Sequence, residues 1–196
     1  NIFAIQDDIA RAIVAALVDS LDLKDVGDVA PAKPTANLTA YDLYLQARAM
    51  FQARRDFAEA DRLLAEALAQ DPAFAKAWEL RAAVMMMMDE YGGSELDVAQ
   101  IYRIATDYAE KALALDPRSA LALASIANIS RMTAQNLSQA ANHSSTIADL
   151  ERAIEIDPHN SNAMNWLGIA FGLVGENERA LAMFQRCRAV DPLLSP

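Results

Sequence analysis

The chain has 196 residues, an apolar content of 54% and a formal net charge of −10. That length fits one repeat domain or two small domains, and the apolar fraction is ample for a hydrophobic core. An acidic chain without a cluster of lysine and arginine is unsuited to binding nucleic acid or anionic membranes, because both attract positive charge.

Cysteine content and hydropathy exclude further classes. Cys187 is the only cysteine, which rules out an intrachain disulfide and a cysteine-based zinc site. No apolar run approaches the ~20 residues of a membrane span. We therefore expect no metal, no cofactor and no membrane association. A cytoplasmic location is our expectation, with the periplasmic side left open if a membrane span precedes these residues.

The first predicted element is an amphipathic helix over residues 1–23. Its apolar side chains recur every three or four positions and form one stripe, made of Ile2, Ile5, Ile9, Ile13, Ala16, Leu17 and Leu21. Residues 24–39 are predicted to be a linker, because Gly27, Pro31 and Pro34 interrupt the periodicity. The remaining residues, 40–196, carry a repeated pattern.

A recurring Asp-Pro pair divides residues 40–196 into four units. The prolines lie 45, 41 and 34 residues apart, at Pro72, Pro117, Pro158 and Pro192. Proline lacks the N–H that would continue a helix and restricts the residue before it, so each pair marks a helix end. Five positions before each proline lies a small residue: Ala67, Ala112, Ala153 and Cys187.

The last unit shows the pattern most clearly. Met164, Leu167 and Phe171 form an apolar stripe on its first helix. Gly168 lies within that stripe and leaves room for a second helix to cross closely. Phe184, on the second helix, is expected to fill the space beside the crossing.

This order of large, small and aromatic residues, ending in Asp-Pro, resembles the tetratricopeptide repeat (TPR) family. The resemblance implies an all-α, right-handed solenoid of about four helix–turn–helix repeats, preceded by the extra N-terminal helix. The predicted repeats span about 41–74, 75–119, 120–160 and 161–194. Relative to a standard repeat of 34 residues, the second and third carry insertions of 11 and 7 residues.

Several places depart from the pattern. Arg48 stands where a glycine is expected, and Arg81 stands where an apolar residue is usual. In the second repeat, the second helix is predicted to begin near Ser94, with Asp97 as its capping-box acid. In the third repeat, the insertion blurs the pattern over residues 133–145.

TPR domains generally bind partners through a concave surface lined by their first helices, so the resemblance implies such a groove here. By helical phase, its candidate residues are Leu45, Ala49, Gln52, Lys76, Glu79, Ala83, Met86, Leu121, Asn128, Arg131, Asn162, Asn165 and Ile169. The groove is then largely apolar with amides, which suits an amphipathic helix or an extended peptide. The cationic clamp by which chaperone-binding TPRs hold a carboxylate is absent from the matching positions.

Four consecutive methionines, residues 85–88, have two interpretations. Helical phase predicts that Met85 and Met88 pack inward, while Met86 and Met87 turn towards the concave side. Methionine is adaptable and common on promiscuous binding surfaces, but core packing is the interpretation that we favour.

No catalytic or metal-binding constellation is present in the sequence. His143 and His159 are the only histidines; both are expected in loops, and neither has a second ligand at metal spacing. No glycine-rich or nucleophile-elbow motif accompanies them, so we expect no enzymatic activity. Cys187 replaces a small residue at a helix crossing and is interpreted as a buried hydrophobe rather than a reactive thiol.

A closer resemblance concerns the first quarter of the chain. Residues 1–10, the proline-containing linker and residues 40–46 are similar to the C-terminal part of bacterial multidomain signalling proteins. In those proteins an adenylate/guanylate cyclase domain or a winged-helix domain precedes a TolB-like segment and TPRs. The resemblance implies a scaffold that recruits a protein or peptide to such a domain. The alternative is a homodimerisation module, because both ends of the predicted solenoid carry uncovered apolar surface.

Overall fold

The computed structural model describes residues 34–91, 95–136 and 143–192. These ranges contain eight α-helices and no strand. The helices are α1 (Leu38–Gln52), α2 (Phe57–Gln70), α3 (Ala75–Tyr91), α4 (Val98–Leu115), α5 (Ala120–Asn136), α6 (His143–Ile156), α7 (Ser161–Leu173) and α8 (Asn177–Val190). All eight belong to one compact unit that begins at Asn37. The helix predicted over residues 1–23 lies outside the described residues.

The eight helices form four pairs that stack in a row. Each helix packs against the next one in the chain, and the first helix of each pair also packs against the first helix of the following pair. Packing of each unit's helices against those of the next unit is the arrangement of a helical repeat domain. The all-α repeat fold predicted from the sequence is confirmed, and α1, α3, α5 and α7 share one face.

The Asp-Pro pairs end the second helices for a visible reason. Asp71, Asp116 and Asp191 leave the helix in an extended conformation, with φ of −145°, −136° and −135°. The N–H of each still donates to the carbonyl four residues earlier. The carboxylates of Asp71 and Asp116 then accept the backbone N–H groups of Ala73 and Arg118, both at 3.0 Å. The aspartate therefore both closes the helix and shapes the turn that follows.

The close crossing in the last pair depends on Gly168. A Cβ added there would lie 2.6 Å from Cε1 of Phe184 on α8, well inside carbon contact distance. The ring of Phe184 thus fills the space that the missing side chain leaves, as predicted. At the corresponding place on α1, Arg48 is exposed, so its side chain does not enter the interface between α1 and α2.

The second helix of the second pair begins later than predicted. The N-cap of α4 is Asp97, whose carboxylate accepts the N–H of Gln100 at 2.8 Å. The Gln100 side chain accepts the N–H of Asp97 at 3.0 Å in return. The predicted start near Ser94 is wrong, because Gln100 supplies the reciprocal bond that makes Asp97 the cap itself.

Arg81 joins three helices at a position where the repeat usually has an apolar residue. Its guanidinium on α3 contacts the carboxylate of Asp61 on α2 at 2.7 Å and 3.2 Å. It also lies 4.4 Å from the ring centroid of Tyr108 on α4. The exposed fractions of the Arg81 and Asp61 side chains are 16% and 24%, so the pair is partly withdrawn from water.

Replacing Arg81 with alanine is expected to lower the free energy of unfolding by about 1–2 kcal/mol, because Asp61 keeps a half-buried charge without its partner. The double variant Arg81→Leu/Asp61→Leu is expected to lose less stability than Arg81→Ala, since no unpaired charge remains. Urea denaturation of the three proteins measures both effects. Arg62→Ala is the control: its ion pair with Glu59 is exposed to solvent and is expected to contribute little to the free energy of unfolding.

Candidate binding groove

A cavity of about 340 Å³ lies on the face formed by the first helices. Side chains from α1, α3, α5 and α7 line it, together with the turn after α6 and the end of α8. All four helix pairs therefore contribute to one cavity, which we call the groove.

Five of the residues predicted for the binding surface line the groove: Gln52, Lys76, Glu79, Leu121 and Asn162. Within this group, Glu79 is held in place from two sides. Its carboxylate lies 2.9 Å from the Lys76 ammonium. It also accepts a hydrogen bond from the Ser119 hydroxyl group at 2.5 Å. The Glu79 side chain is only 8% exposed, whereas Lys76 is 47% exposed and accessible to a ligand.

Four other predicted residues are buried and do not line the groove: Ala83, Met86, Asn128 and Arg131. Asn128 accepts hydrogen bonds from Nη2 and Nε of Arg131 at 2.6 Å and 3.1 Å. Burial also lowers the pKa of the Arg131 guanidinium below its usual value. Successive first helices pack against one another, and helical phase within one helix does not predict which positions such a contact covers.

The remaining four predicted residues lie outside the groove lining. Leu45 and Ala49 are exposed on α1, and Asn165 and Ile169 are half-buried on α7. Their role in binding stays a prediction.

Several groove residues were not singled out from the sequence. Tyr44 and Arg48 extend the lining along α1, and burial raises the pKa of the Tyr44 hydroxyl to about 12, so it stays protonated at neutral pH. Asp157, His159 and other residues of the turn after α6 form the opposite wall. The Asp-Pro signature located that turn, but no sequence signal placed it against α1.

Arg54 is a groove residue whose side chain contacts residues far away in the sequence. It follows α1, and its Nη2 donates to the side-chain oxygen of Asn162 on α7 at 3.3 Å. The same nitrogen lies 3.6 Å from the carboxylate of Asp191, at the end of α8. The first and last helix pairs are therefore in direct contact through side chains.

The fold has counterparts among solved structures. A thermophilic TPR protein from Thermus thermophilus superposes with a TM-score of 0.60, at 14% identity, over 78% of this chain and 75% of its own. The family profile of the tetratricopeptide repeat matches residues 150–182, from within α6 to within α8. The described helices have the TPR fold.

Two further solved structures share the fold of this TPR domain. PilW, a type IV pilus biogenesis factor, superposes with a TM-score of 0.53 and 21% identity, over 80% of this chain and 64% of its own. The Sgt2 TPR domain of Aspergillus fumigatus superposes with a TM-score of 0.50 and 18% identity, over 76% and 87% of the two chains. No curated protein sequence matches the chain. At these identities, the likeness concerns the fold alone.

The methionine run belongs to the core of the TPR domain. The exposed fractions of Met85, Met86, Met87 and Met88 are 4%, 3%, 6% and 9%. Core packing, the interpretation that the sequence favoured, is confirmed, and Met86 does not line the groove. Met87 still borders the groove, because its sulfur lies 4.0 Å from Nη1 of Arg54.

The two histidines and the cysteine differ in their surroundings. His159 is exposed in the turn after α6, as predicted, whereas His143 is half-buried and begins α6 instead of lying in a loop. Cys187 is 1% exposed and its sulfur lies 3.2 Å from the carbonyl oxygen of Ser161. Burial raises the pKa of its thiol, so its interpretation as a buried small residue is confirmed.

Two further features of the described residues bear on other functions. No group of three histidine, cysteine or acidic side chains is arranged to hold a metal ion in residues 34–91, 95–136 and 143–192. Among the eight described helices, none has the length and apolar character needed to cross a membrane.

Proposed function

We propose that this TPR domain is a non-catalytic protein–protein interaction scaffold whose groove binds a peptide or a protein segment. TPR domains in general are scaffolds of this kind. The observation that carries the proposal is the convergence of Gln52, Lys76, Leu121 and Asn162 on one cavity, although they come from four different helices. A single extended ligand in that cavity contacts every repeat.

The chemistry of the groove favours a peptide over a small apolar ligand. The Gln52 amide offers a donor and an acceptor, which match the N–H and C=O groups of an extended backbone. The Asn162 amide adds a donor, beside the oxygen that already accepts from Arg54. Leu121 adds apolar surface between them. Lysine, arginine and aspartate side chains also line the cavity, so side-chain charges of the peptide have partners of either sign.

Peptide selection tests the proposal. Peptides selected from a random display library against the full chain are expected to bind in the micromolar range. The groove variant Gln52→Ala/Leu121→Ala is expected to weaken them about tenfold or more, because two contacts are removed without charge change. Titration calorimetry measures the affinities.

A matched double variant serves as the control for this selection. Gln70→Ala/Leu115→Ala removes a glutamine and a leucine that are exposed and lie outside the groove lining. The selected peptides are expected to bind it as they bind the unchanged chain. Peptides that bind the groove variant and the unchanged chain equally would refute the proposal.

A second candidate function is homodimerisation, favoured by the outer surface of the last repeat. Leu181 on α8 is 58% exposed, and Leu173 and Val174 at the end of α7 are 46% and 40% exposed. Exposed apolar side chains close together are typical of association surfaces. Light scattering over a range of concentrations tests this function: a dimer that Leu181→Glu converts to monomer supports it, and a monomer at all concentrations contradicts it.

The wider setting of the domain is also a proposal. We propose that residues 1–23 form an amphipathic helix ahead of the TPR domain. The linker predicted over 24–39 and the domain predicted over 40–196 meet earlier than expected, because Asn37 caps α1 and the helix begins at Leu38. The resemblance of the first quarter to bacterial signalling proteins supports a cytoplasmic role beside a cyclase-like or DNA-binding domain. Truncation to residue 37 onwards is expected to leave the groove and its peptide affinity unchanged.

A further inference from the structure

The contact made by Arg54 is unlike the other contacts between repeats. Solenoid repeats normally touch only their neighbours. Arg54, in the turn after α1, instead contacts Asn162 on α7 at 3.3 Å and Asp191 after α8 at 3.6 Å. These three side chains, which we call the clasp, join the first repeat to the fourth across the groove.

The side chain of Arg54 is well placed for this contact. It is 12% exposed, and the Asp191 side chain is 21% exposed. The guanidinium lies 4.9 Å from the ring centroid of Phe51 and 4.0 Å from the sulfur of Met87. Asp191 is oriented in turn by the hydroxyl of Ser161, at 3.3 Å.

The backbone of Arg54 adopts a conformation that disfavours a side chain. Its φ is +53°, in the left-handed region. In the fourth repeat the equivalent position is Gly175, with φ of +82°. The two turns share one hydrogen-bond pattern: Arg54 and Gly175 each donate to the carbonyl three residues earlier, and the next residue donates five residues back. Glycine is the residue that such a turn favours, so arginine at this place is explained by what its side chain contacts.

The contacts of the clasp are individually loose. Strong charge-assisted hydrogen bonds measure about 2.7–2.9 Å, and both contacts of Arg54 across the groove are longer. Contacts of this length are weaker than short charge-assisted hydrogen bonds. The clasp borders the groove, since Arg54, Asn162 and Asp191 all belong to the lining.

We propose that the clasp is a reversible closure of the groove, which holds the first and fourth repeats together and opens when a partner binds. The part that concerns a partner rests on the proposed function; the closure itself does not. The clasp sets the width of the groove without a ligand. A peptide that binds the groove residues beside the clasp displaces Arg54 from Asp191.

Distance measurement across the groove tests the closure without any ligand. Spin labels are attached to cysteines introduced at Ala58 and Ala189, two exposed positions on α2 and α8, with Cys187 replaced by alanine. Arg54→Gly is expected to lengthen and broaden the distance distribution, while the turn itself suits glycine. Arg54→Lys keeps one charge and is expected to give an intermediate distribution.

Two further variants make the result specific. Arg55→Gly changes the neighbouring arginine, which is 70% exposed and pairs with the adjacent Asp56, and is expected to leave the distribution unchanged. Asp191→Asn is expected to act in the same direction as Arg54→Gly, and the double variant to widen the groove no further than Arg54→Gly alone. Identical distributions in all variants that keep their helical circular dichroism would overturn the clasp.

Peptide kinetics test the opening step. If the clasp must open, a selected groove peptide is expected to associate about three- to tenfold faster with Arg54→Gly than with the unchanged chain, because one weak ion pair no longer has to break. An unchanged association rate, with a lengthened label distance, overturns the opening step. Failure to select any groove peptide counts against the proposed function and leaves the label distances to decide the closure.

Discussion

Replacement of Phe74 with alanine is expected to lower the free energy of unfolding by about 3–5 kcal/mol, the range for truncating a buried aromatic side chain. Phe74 lies between α2 and α3 and is fully buried. Its ring centroid is 5.0 Å from that of Tyr44 on α1, so it joins the first repeat to the second. Thermal and urea denaturation, followed by circular dichroism, measure the loss.

Phe74→Ala is also expected to change the order in which the repeats unfold. Repeat domains unfold as units when an interface between neighbours is weakened. We therefore expect the first repeat to unfold before the others, visible as an early transition in the fluorescence of Trp78 or in hydrogen exchange of α1. Phe74→Leu keeps most of the apolar contact and serves as the control. A single transition with a loss of under about 1 kcal/mol would contradict the role given to Phe74.

Two glycines on α7 are expected to respond to alanine with opposite signs. Gly168→Ala is expected to destabilise the domain by about 1–3 kcal/mol, because the new Cβ collides with the Phe184 ring and overpacks the crossing. Gly172→Ala meets nothing within 4 Å, and alanine is the better helix former by up to about 1 kcal/mol. Urea denaturation measures the stability of both variants. Because each replaces a glycine on α7 with alanine, the general effect of that replacement cancels in the comparison.

A double-mutant cycle identifies the cause of the Gly168 effect. Phe184→Leu removes the ring that a Cβ at Gly168 meets. The double variant is then expected to lose less stability than the sum of the two single losses. Strict additivity would show that Gly168→Ala acts elsewhere than at this crossing.

The repeat signature predicted the fold because each of its residues has a local structural role. Asp-Pro ended helices at Asp71, Asp116 and Asp191, and Gly168 admitted Phe184, through interactions between residues close in the chain or in one repeat. Cap placement in the second repeat failed by a few residues. Asp97 fits either position of a capping box, and only the position of Gln100 decides between them.

The groove was predictable only in part. Helical phase placed Gln52, Lys76 and Leu121 on one face, and all three line the groove. It did not anticipate the burial of Met86, because phase within one helix carries no information on the neighbouring helices. The contact of Arg54 with Asn162 joins residues 108 positions apart and depends on how four repeats stack. No pattern within a single repeat encodes it.

The central claim is that the groove is the binding surface. Chemical-shift mapping by nuclear magnetic resonance, with a bound peptide, tests it most directly. A selected peptide is titrated into the isotopically labelled chain, and amide chemical shifts are followed to saturation. Shifts that concentrate at Gln52, Lys76, Leu121 and Asn162, with Arg152 unaffected, are the predicted result. Saturable shifts confined to the exposed surface around Leu181, with the groove unaffected, would contradict the central claim. They would favour association through the last repeat as the function.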